Sequence, residues 1–270
     1  MRTYTTIDLE TMLANMRPKR ASRTSRTTPE RAHATGSTTT MPWDPIARAR
    51  EVEAMVMKGA KRLYDSDKFR YQRFYGGIAT AGSRGCNLRC LYCFNFARNE
   101  DPRGAGTFYS PREVRERLEN IASRHDTGLA RISGSENFLG EASARHLYEV
   151  IANSDLDFVT ETNGIILGAM PRLLEKFKKL RNFRLRLSFK APNALQFEKL
   201  TGSDSWGYVY QLQAIREIQA RHIPLKVAYM PQFVDPNQID VSGYALEEEN
   251  MTYYPGVKDR LRIAGIKPKA

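Results

Sequence analysis

Cys86, Cys90 and Cys93 are the only three thiols of the chain, and all fall within GCNLRCLYCFNF, residues 85–96. With three and then two residues between them, they can turn inward from a single loop. Soft thiolates of this kind favour zinc or an iron–sulfur cluster. A structural zinc site usually takes four protein ligands, often as paired Cys-x-x-Cys units. No second pair exists here, and the nearest later histidine, His125, lies beyond a predicted helix. In a [4Fe–4S] cluster three cysteines hold three irons, and the fourth iron stays open to a ligand from outside the protein. That is a catalytic layout, by the logic that keeps one position open on a catalytic metal.

The chain has 270 residues, 41% of them hydrophobic and 27% charged, an ordinary balance for a globular protein. At this length a core forms without disulfide staples. No apolar run reaches the length of a membrane span, and Arg2 is followed by TYTTIDLETMLANM, which has no apolar leader. The expectation is a cytoplasmic protein, where clustered thiols serve metal or redox chemistry and not bridges. Net charge is +12, of which residues 1–50 carry +5. Charge spread in this way permits a polyanionic partner without indicating DNA specifically.

Around the cysteines the chain alternates between strand and helix patterns. Residues 17–42 are rich in Arg, Ser and Thr and bury too little to order themselves. Residues 1–42 are therefore read as a disordered basic extension, with a short amphipathic helix possible over 5–16. Residues 43–73 are read as a helical lead-in, with one helix across 44–65. A core over 74–235 starts with a strand at 74–85 running into the cysteine loop. Ser110-Pro111 then opens a helix, with Ser at the N-cap and Glu113 in its first turn. Strands follow at 130–133, 156–164, 183–189 and 223–230, separated by helices over 142–153, 169–180 and 207–221. A sixth strand is expected near 238–245, inside a C-terminal extension over 236–270 that completes or flanks the sheet. Such alternation implies βαβ units and a parallel sheet.

The loop Cys86-x-x-x-Cys90-x-x-Cys93 after a strand, with an aromatic at Tyr92, resembles the signature of radical S-adenosylmethionine (radical SAM) enzymes. The resemblance covers about residues 74–235. It implies an α/β fold: a partial (β/α)6 TIM-like barrel of parallel strands, open on one side. The implied cofactors are a [4Fe–4S] cluster on Cys86, Cys90 and Cys93 and S-adenosyl-L-methionine on the fourth iron. Reductive cleavage to a 5′-deoxyadenosyl radical and hydrogen abstraction from a substrate are the implied reaction.

The resemblance extends to the strand ends. SGSEN (133–137) stands where the family has Gly-Gly-Glu, so Gly134, Ser135 and Glu136 map to contacts with the methionine amino group, with Ser135 in place of a glycine. Asn163, in a Thr-Asn-Gly ending, faces cofactor or substrate by the same likeness, and Asn-Gly also reads as a plain turn. Ser188 and Lys190 match ribose and carboxylate contacts, with Ser188 where glycyl-radical activating enzymes have Asp. Met230 and Gln232 match residues that bracket adenine, beside Tyr92. Phe94 and Phe96 are expected to cover the cluster, and Arg84 and Arg89 to offset its charge. His125, His146 and His222 are read as surface or packing residues.

An electron donor such as ferredoxin or flavodoxin is implied as partner. The substrate stays open among protein, RNA and small molecule, with likeness to glycyl-radical activating and wybutosine-type tRNA-modifying enzymes. The alternatives are a non-catalytic, metal-binding protein associated with nucleic acid, and a degenerate member of the family.

Overall fold

The longest strand, FRLRLSF, alternates apolar and polar residues with a period of two and shows how the sheet is built. A computed structural model describes residues 41–238 and 243–269. The short helix read over 5–16, residues 1–40 of the extension read over 1–42, and positions 239–242 of the expected sixth strand lie outside the described residues.

The first helix, α1 (Pro45–Val56), is capped by Asp44, whose carboxylate accepts from the backbone N–H groups of Ile46 at 2.7 Å and Ala47 at 3.2 Å. The expected helix over 44–65 ends at Val56. Gly59 takes φ +59° and turns the chain back on itself, so that β1 (Met57–Lys58) pairs antiparallel with β2 (Lys61–Tyr64). A strand β5 (Thr107–Tyr109) adds to β2 and completes a small three-stranded sheet. The lead-in is thus α-helical only over Pro45–Val56. Periodicity alone did not separate a helix from a helix followed by a two-residue hairpin.

The main sheet has seven strands, in the order β10-β9-β8-β7-β6-β4-β3. They are β3 (Arg70–Gln72), β4 (Ile78–Gly82), β6 (Leu129–Ser133), β7 (Asp157–Thr162), β8 (Phe183–Phe189), β9 (Leu225–Tyr229) and β10 (Ala245–Glu248). All pairs are parallel except β3 with β4. The sheet is mostly parallel and open, with β3 and β10 as its edges, as the fold class read from the sequence requires. The first core strand starts at Ile78 and not at residue 74, because Phe74–Gly76 form a 3-10 turn. The sixth parallel strand is displaced toward the C-terminus from its expected place, to Ala245–Glu248.

The intervening helices are α2 (Phe96–Glu100), α3 (Pro111–Arg124), α4 (Glu141–Ala152), α5 (Ile165–Ala169), α6 (Leu174–Phe177), α7 (Ala194–Thr201), α8 (Trp206–Ala220) and α9 (Val257–Ile263). A reciprocal capping box between Ser110 and Glu113 starts α3, as Ser110-Pro111 predicts. The helix expected over 169–180 is broken by Pro171 into a 3-10 turn and the short α6. Among the described residues no helix is long and apolar enough to cross a membrane.

Period two then divides the sheet. Ala79, Ala81, Ala130, Ile132, Phe158, Leu185, Leu187 and Val227 are buried in the core. The opposite, inner face carries Arg131, Glu161, Arg186 and Lys226. Arg131 pairs with Glu161 at 2.7 Å, and Arg186 with Glu247 at 2.7 Å and Glu249 at 3.3 Å.

His146 on α4 is buried beneath the small sheet. Its Nδ1 lies 2.9 Å from the Ala60 carbonyl oxygen and its Nε2 2.9 Å from the Tyr64 hydroxyl. A carbonyl only accepts, so Nδ1 carries the proton and Nε2 accepts from Tyr64. Burial pushes the imidazole down to about 4, partly opposed by the bond to Ala60. Because the folded value lies below the unfolded one, the contribution is complete above about pH 6.5 and is lost as pH falls toward 4. Between pH 7.5 and 5.5 this group alone should cost roughly 1 kcal/mol. Anaerobic thermal unfolding at the two pH values should show a smaller drop in His146→Gln than in the unchanged chain; equal drops would refute the assignment.

Candidate active site

The thiols sit on the loop that leaves β4, at the C-terminal end of the parallel strands, where α/β sheets place their ligands. Gly85 starts this loop at φ +92°, and a Cβ there would stand 2.7 Å from Val52 Cγ1 on α1. Both the backbone angle and the packing on α1 therefore ask for glycine. Backbone bonds then tie the loop down. Arg89 N–H donates to Thr201 O at 3.0 Å and Leu91 N–H to Leu200 O at 2.9 Å, both at the end of α7. Trp43 Nε1 donates to Asn87 O at 3.1 Å, and Asn87 Nδ2 to Pro45 O at 3.2 Å.

All three cysteines are free, Cys90 buried and Cys86 and Cys93 half-buried. Burial pushes all three thiols up, Cys90 to about 11 with Lys190 opposing the shift; Glu136 adds to the rise at Cys86. A group that binds them as thiolates must bring compensating positive charge, as iron does. N–H groups already face the sulfurs: Leu88 N at 3.5 Å and Asn163 Nδ2 at 3.9 Å from Cys86 Sγ, and Asn99 Nδ2 at 3.7 Å from Cys93 Sγ. Such donors stabilise thiolate ligands and tune a cluster's potential. Among the described residues no three or more His, Cys, Asp or Glu side chains are gathered to hold a metal ion. A cluster in which each cysteine takes a different iron does not ask for that convergence. The donor set, three soft thiols of which two are faced by N–H groups, fits a cluster with one open iron.

One carboxylate joins the next two strand ends, and the Glu136 N–H, which donates to Gly85 O at 3.0 Å, ties them to this loop. Glu136 is 2% exposed. Its Oε1 accepts from Phe138 N at 2.9 Å and Thr162 Oγ1 at 2.7 Å, and its Oε2 from Asn163 N at 2.6 Å. Burial raises its pKa, and these donors oppose the rise. The carboxylate that the sequence pattern assigns to an ammonium group is thus engaged by the protein's own backbone. Gly134, at φ +91°, leaves its carbonyl to Asn95 Nδ2 at 2.7 Å, and Ser135 Oγ lies 2.5 Å from Ser83 Oγ. Behind them the fully buried Arg62 donates to Glu136 O at 2.7 Å and Asn137 O at 3.0 Å. Asn163 Nδ2 donates to Asn87 Oδ1 at 2.8 Å, inside the cysteine loop.

Lys190, after β8, donates to Ser188 Oγ at 2.6 Å and stands 6.0 Å above the Tyr92 ring. Tyr92 stacks on Phe233, with centroids 5.1 Å apart. The structure thus brings Tyr92, Gly134, Ser135, Glu136, Asn163, Ser188 and Lys190 around the thiols. Met230 is half-buried against the core, and Gln232 borders a groove on the outer side of Phe233.

Several expectations change. Arg84 is spent on Asp65 at 2.7 Å, and Arg89 pairs with Glu100 over the Trp43 ring. The guanidinium that reaches the loop is Arg260 on α9, whose Nε donates to Leu91 O at 2.8 Å and Nη2 to Cys93 O at 3.2 Å. Phe94 is 56% exposed and leans on Tyr254, so it does not shield the thiols. Gln211, fully buried on α8, was also missed. Its Nε2 donates to Asn163 O at 2.5 Å and Ser188 O at 3.0 Å, joining two strand ends. A glutamine on the buried side of an apolar helix face was the available signal.

Comparison with known proteins agrees with this geometry. Residues 81–234 match the Radical SAM superfamily. A probable GTP 3′,8-cyclase of Methanococcus maripaludis is 26% identical over 171 residues, 63% of this chain and 54% of that protein. A protein of the same description from Methanococcus vannielii is 26% identical over 119 residues, 44% of this chain and 38% of its own length. The chain thus spans about half the length of these curated relatives, or less. The crystal structure of Streptococcus suis SuiB bound to S-adenosylmethionine superposes with a TM-score of 0.54 at 15% identity, covering 82% of this chain and 47% of that one. At that identity the likeness speaks for the fold alone. The family match covers more than half of the chain and takes in the whole cysteine loop, so the chain belongs to the Radical SAM superfamily: it is an enzyme whose cofactors are a [4Fe–4S] cluster and S-adenosylmethionine.

Proposed function

We propose that this enzyme cleaves S-adenosylmethionine reductively and uses the product to take a hydrogen atom from a polar substrate. The observation that carries this is the free, three-thiol loop at the C-terminal end of β4, with a cation and an aromatic pair directly beside it. A cluster held by Cys86, Cys90 and Cys93 would supply, when bound, the electron for reductive cleavage of S-adenosylmethionine.

The chain's own residues bind, orient and exclude water. Lys190, with Ser188 fixing its ammonium, is placed to pair with the methionine carboxylate. The backbone turn at Gly134–Ser135 offers polar groups for the methionine amine, and Asn95 and Ser83 hold that turn in shape. Tyr92 and Phe233 form an aromatic wall suited to adenine. The core over 74–235 carries these groups, and the 236–270 segment adds β10 and α9. Ferredoxin or flavodoxin is the reductant this reading asks for, in the cytoplasm.

The inner face is the substrate seat. Its cations Arg131, Arg186 and Lys226 are matched by Glu161, Glu247 and Glu249. It is polar without an excess of positive charge, so it favours a polar substrate over a nucleoside triphosphate such as the one in the relatives' name.

Anaerobically reconstituted protein should carry about four irons per chain, and with dithionite it should release 5′-deoxyadenosine. Cys90→Ala should lose both. A chain that binds one zinc, or an iron-loaded chain that releases no more 5′-deoxyadenosine than Cys90→Ala, would overturn the reading. Lys190→Ala should keep its iron and weaken S-adenosylmethionine binding roughly tenfold or more, the scale of a lost charge-assisted hydrogen bond. Equilibrium dialysis checks this, and Lys190→Arg should restore part of the affinity; unchanged affinity in Lys190→Ala would remove the lysine from the site.

A further inference from the structure

We propose that the groove between α7 and the C-terminal tail is the docking surface for an acidic one-electron carrier protein. The proposal rests on the function proposed above, which needs an external electron.

The groove holds about 370 Å³ and is bordered by Lys199 on α7, Phe233 and Gln232 after β9, and Lys267 and Lys269 of the tail. A second groove of about 450 Å³ shares Lys267 with it and adds Lys258 and Arg262. Among the described residues Lys199, Lys258, Lys267 and Lys269 have no ion-pair partner, and no carboxylate lines either groove; Arg262 alone meets one, Asp259, at 3.5 Å. Two apolar side chains stand out beside these cations. Leu195, one helical turn before Lys199, is 63% exposed, and Ile263 at the end of α9 is 77% exposed. Free cations around a few apolar anchors suit a transient protein partner of opposite charge.

Position favours a redox carrier. Two residues of the groove wall are the ones on which the cysteine loop rests: Leu200 accepts from Leu91 N–H at 2.9 Å, and Phe233 stacks on Tyr92. Arg260, on the helix that leads into the tail, holds the carbonyls of Leu91 and Cys93. A partner seated here rests on residues that contact the cysteine loop, while the inner face of the sheet stays free for substrate. The carrier gives up one electron and is oxidised; the cluster gains that electron and is reduced; no proton or group moves. A single-stranded nucleic acid fits less well. It would want a row of stacking platforms, and the two aromatics of these grooves are already covered, Phe233 by Tyr92 and Tyr253 by Lys258, each at 5.1 Å.

The test is calorimetric titration of the cluster-loaded full chain with an oxidised, acidic [4Fe–4S] ferredoxin at low and high salt. Binding should weaken with salt. K199E/K267E/K269E should weaken it at least about tenfold, about 1.4 kcal/mol, whereas the charge-matched K176E/K178E/K179E should change it less than about twofold. Dithionite-driven release of 5′-deoxyadenosine should be equal in all three proteins. Unchanged ferredoxin binding in the first variant, an equal loss in the second, or binding of single-stranded RNA without binding of ferredoxin would each overturn the proposal. Ferredoxin binding that follows the expected pattern, in a chain that releases nothing with dithionite, would support the docking surface and sink the proposed reaction instead.

Discussion

The carboxylate of Glu136 is the point on which the candidate site depends. It is buried, and burial alone favours its neutral form. Three donors from two different strand ends converge on it, which is the condition under which a buried acid is tolerated. Through Asn163 the same arrangement reaches the cysteine loop, because the Asn163 side chain donates to Asn87 while its backbone donates to Glu136. Arg62 braces the other side: it donates to the Glu136 and Asn137 carbonyls and to Ser135 Oγ. A guanidinium so deeply buried is costly, and its pKa is lowered by that burial. The geometry of the loops around the thiols is what this buried polar set holds in place.

Such a network was only half legible in the sequence. The cysteine spacing, the Ser110-Pro111 helix start and the alternation of FRLRLSF are local signals, and local physics produced what they imply. The position of Glu136 in its pattern was legible as well, but its partners were not. A carboxylate looks the same in sequence whether it awaits an ammonium group or is satisfied by a hydroxyl and a backbone N–H brought in from 26 and 27 residues away. Arg260 is a stronger case, acting on carbonyls 167 and 169 residues distant. Arg84 and Arg89 were nearer in sequence, yet Asp65 and Glu100 took them first.

The sixth strand was displaced for a related reason. Ala245–Glu248 reads ALEE, a run with little intrinsic preference for a strand. Its pairing with β9 is supported instead by charge across the inner face, where Glu247 meets both Arg186 and Lys226. Tyr75 adds to this from the opposite edge of the sheet. Its hydroxyl donates to Glu247 Oε1 at 3.1 Å, across the open side, from a backbone at φ +55°. A non-glycine residue held in that region signals that surrounding contacts outweigh its strain.

These pairings also account for where the chain's charge ends up. The net charge of +12 was spread along the sequence and pointed nowhere in particular. In the folded chain the inner-face arginines are each matched by glutamates, while lysines at the end of α7 and in the tail are not. Folding has therefore separated a polar face of balanced charge from an outer surface with unmatched cations. The cysteine loop lies against both, with its sulfurs near Lys190 and its backbone against Leu200. One loop therefore presents its sulfurs beside Lys190 and its backbone toward the side where the unmatched cations lie.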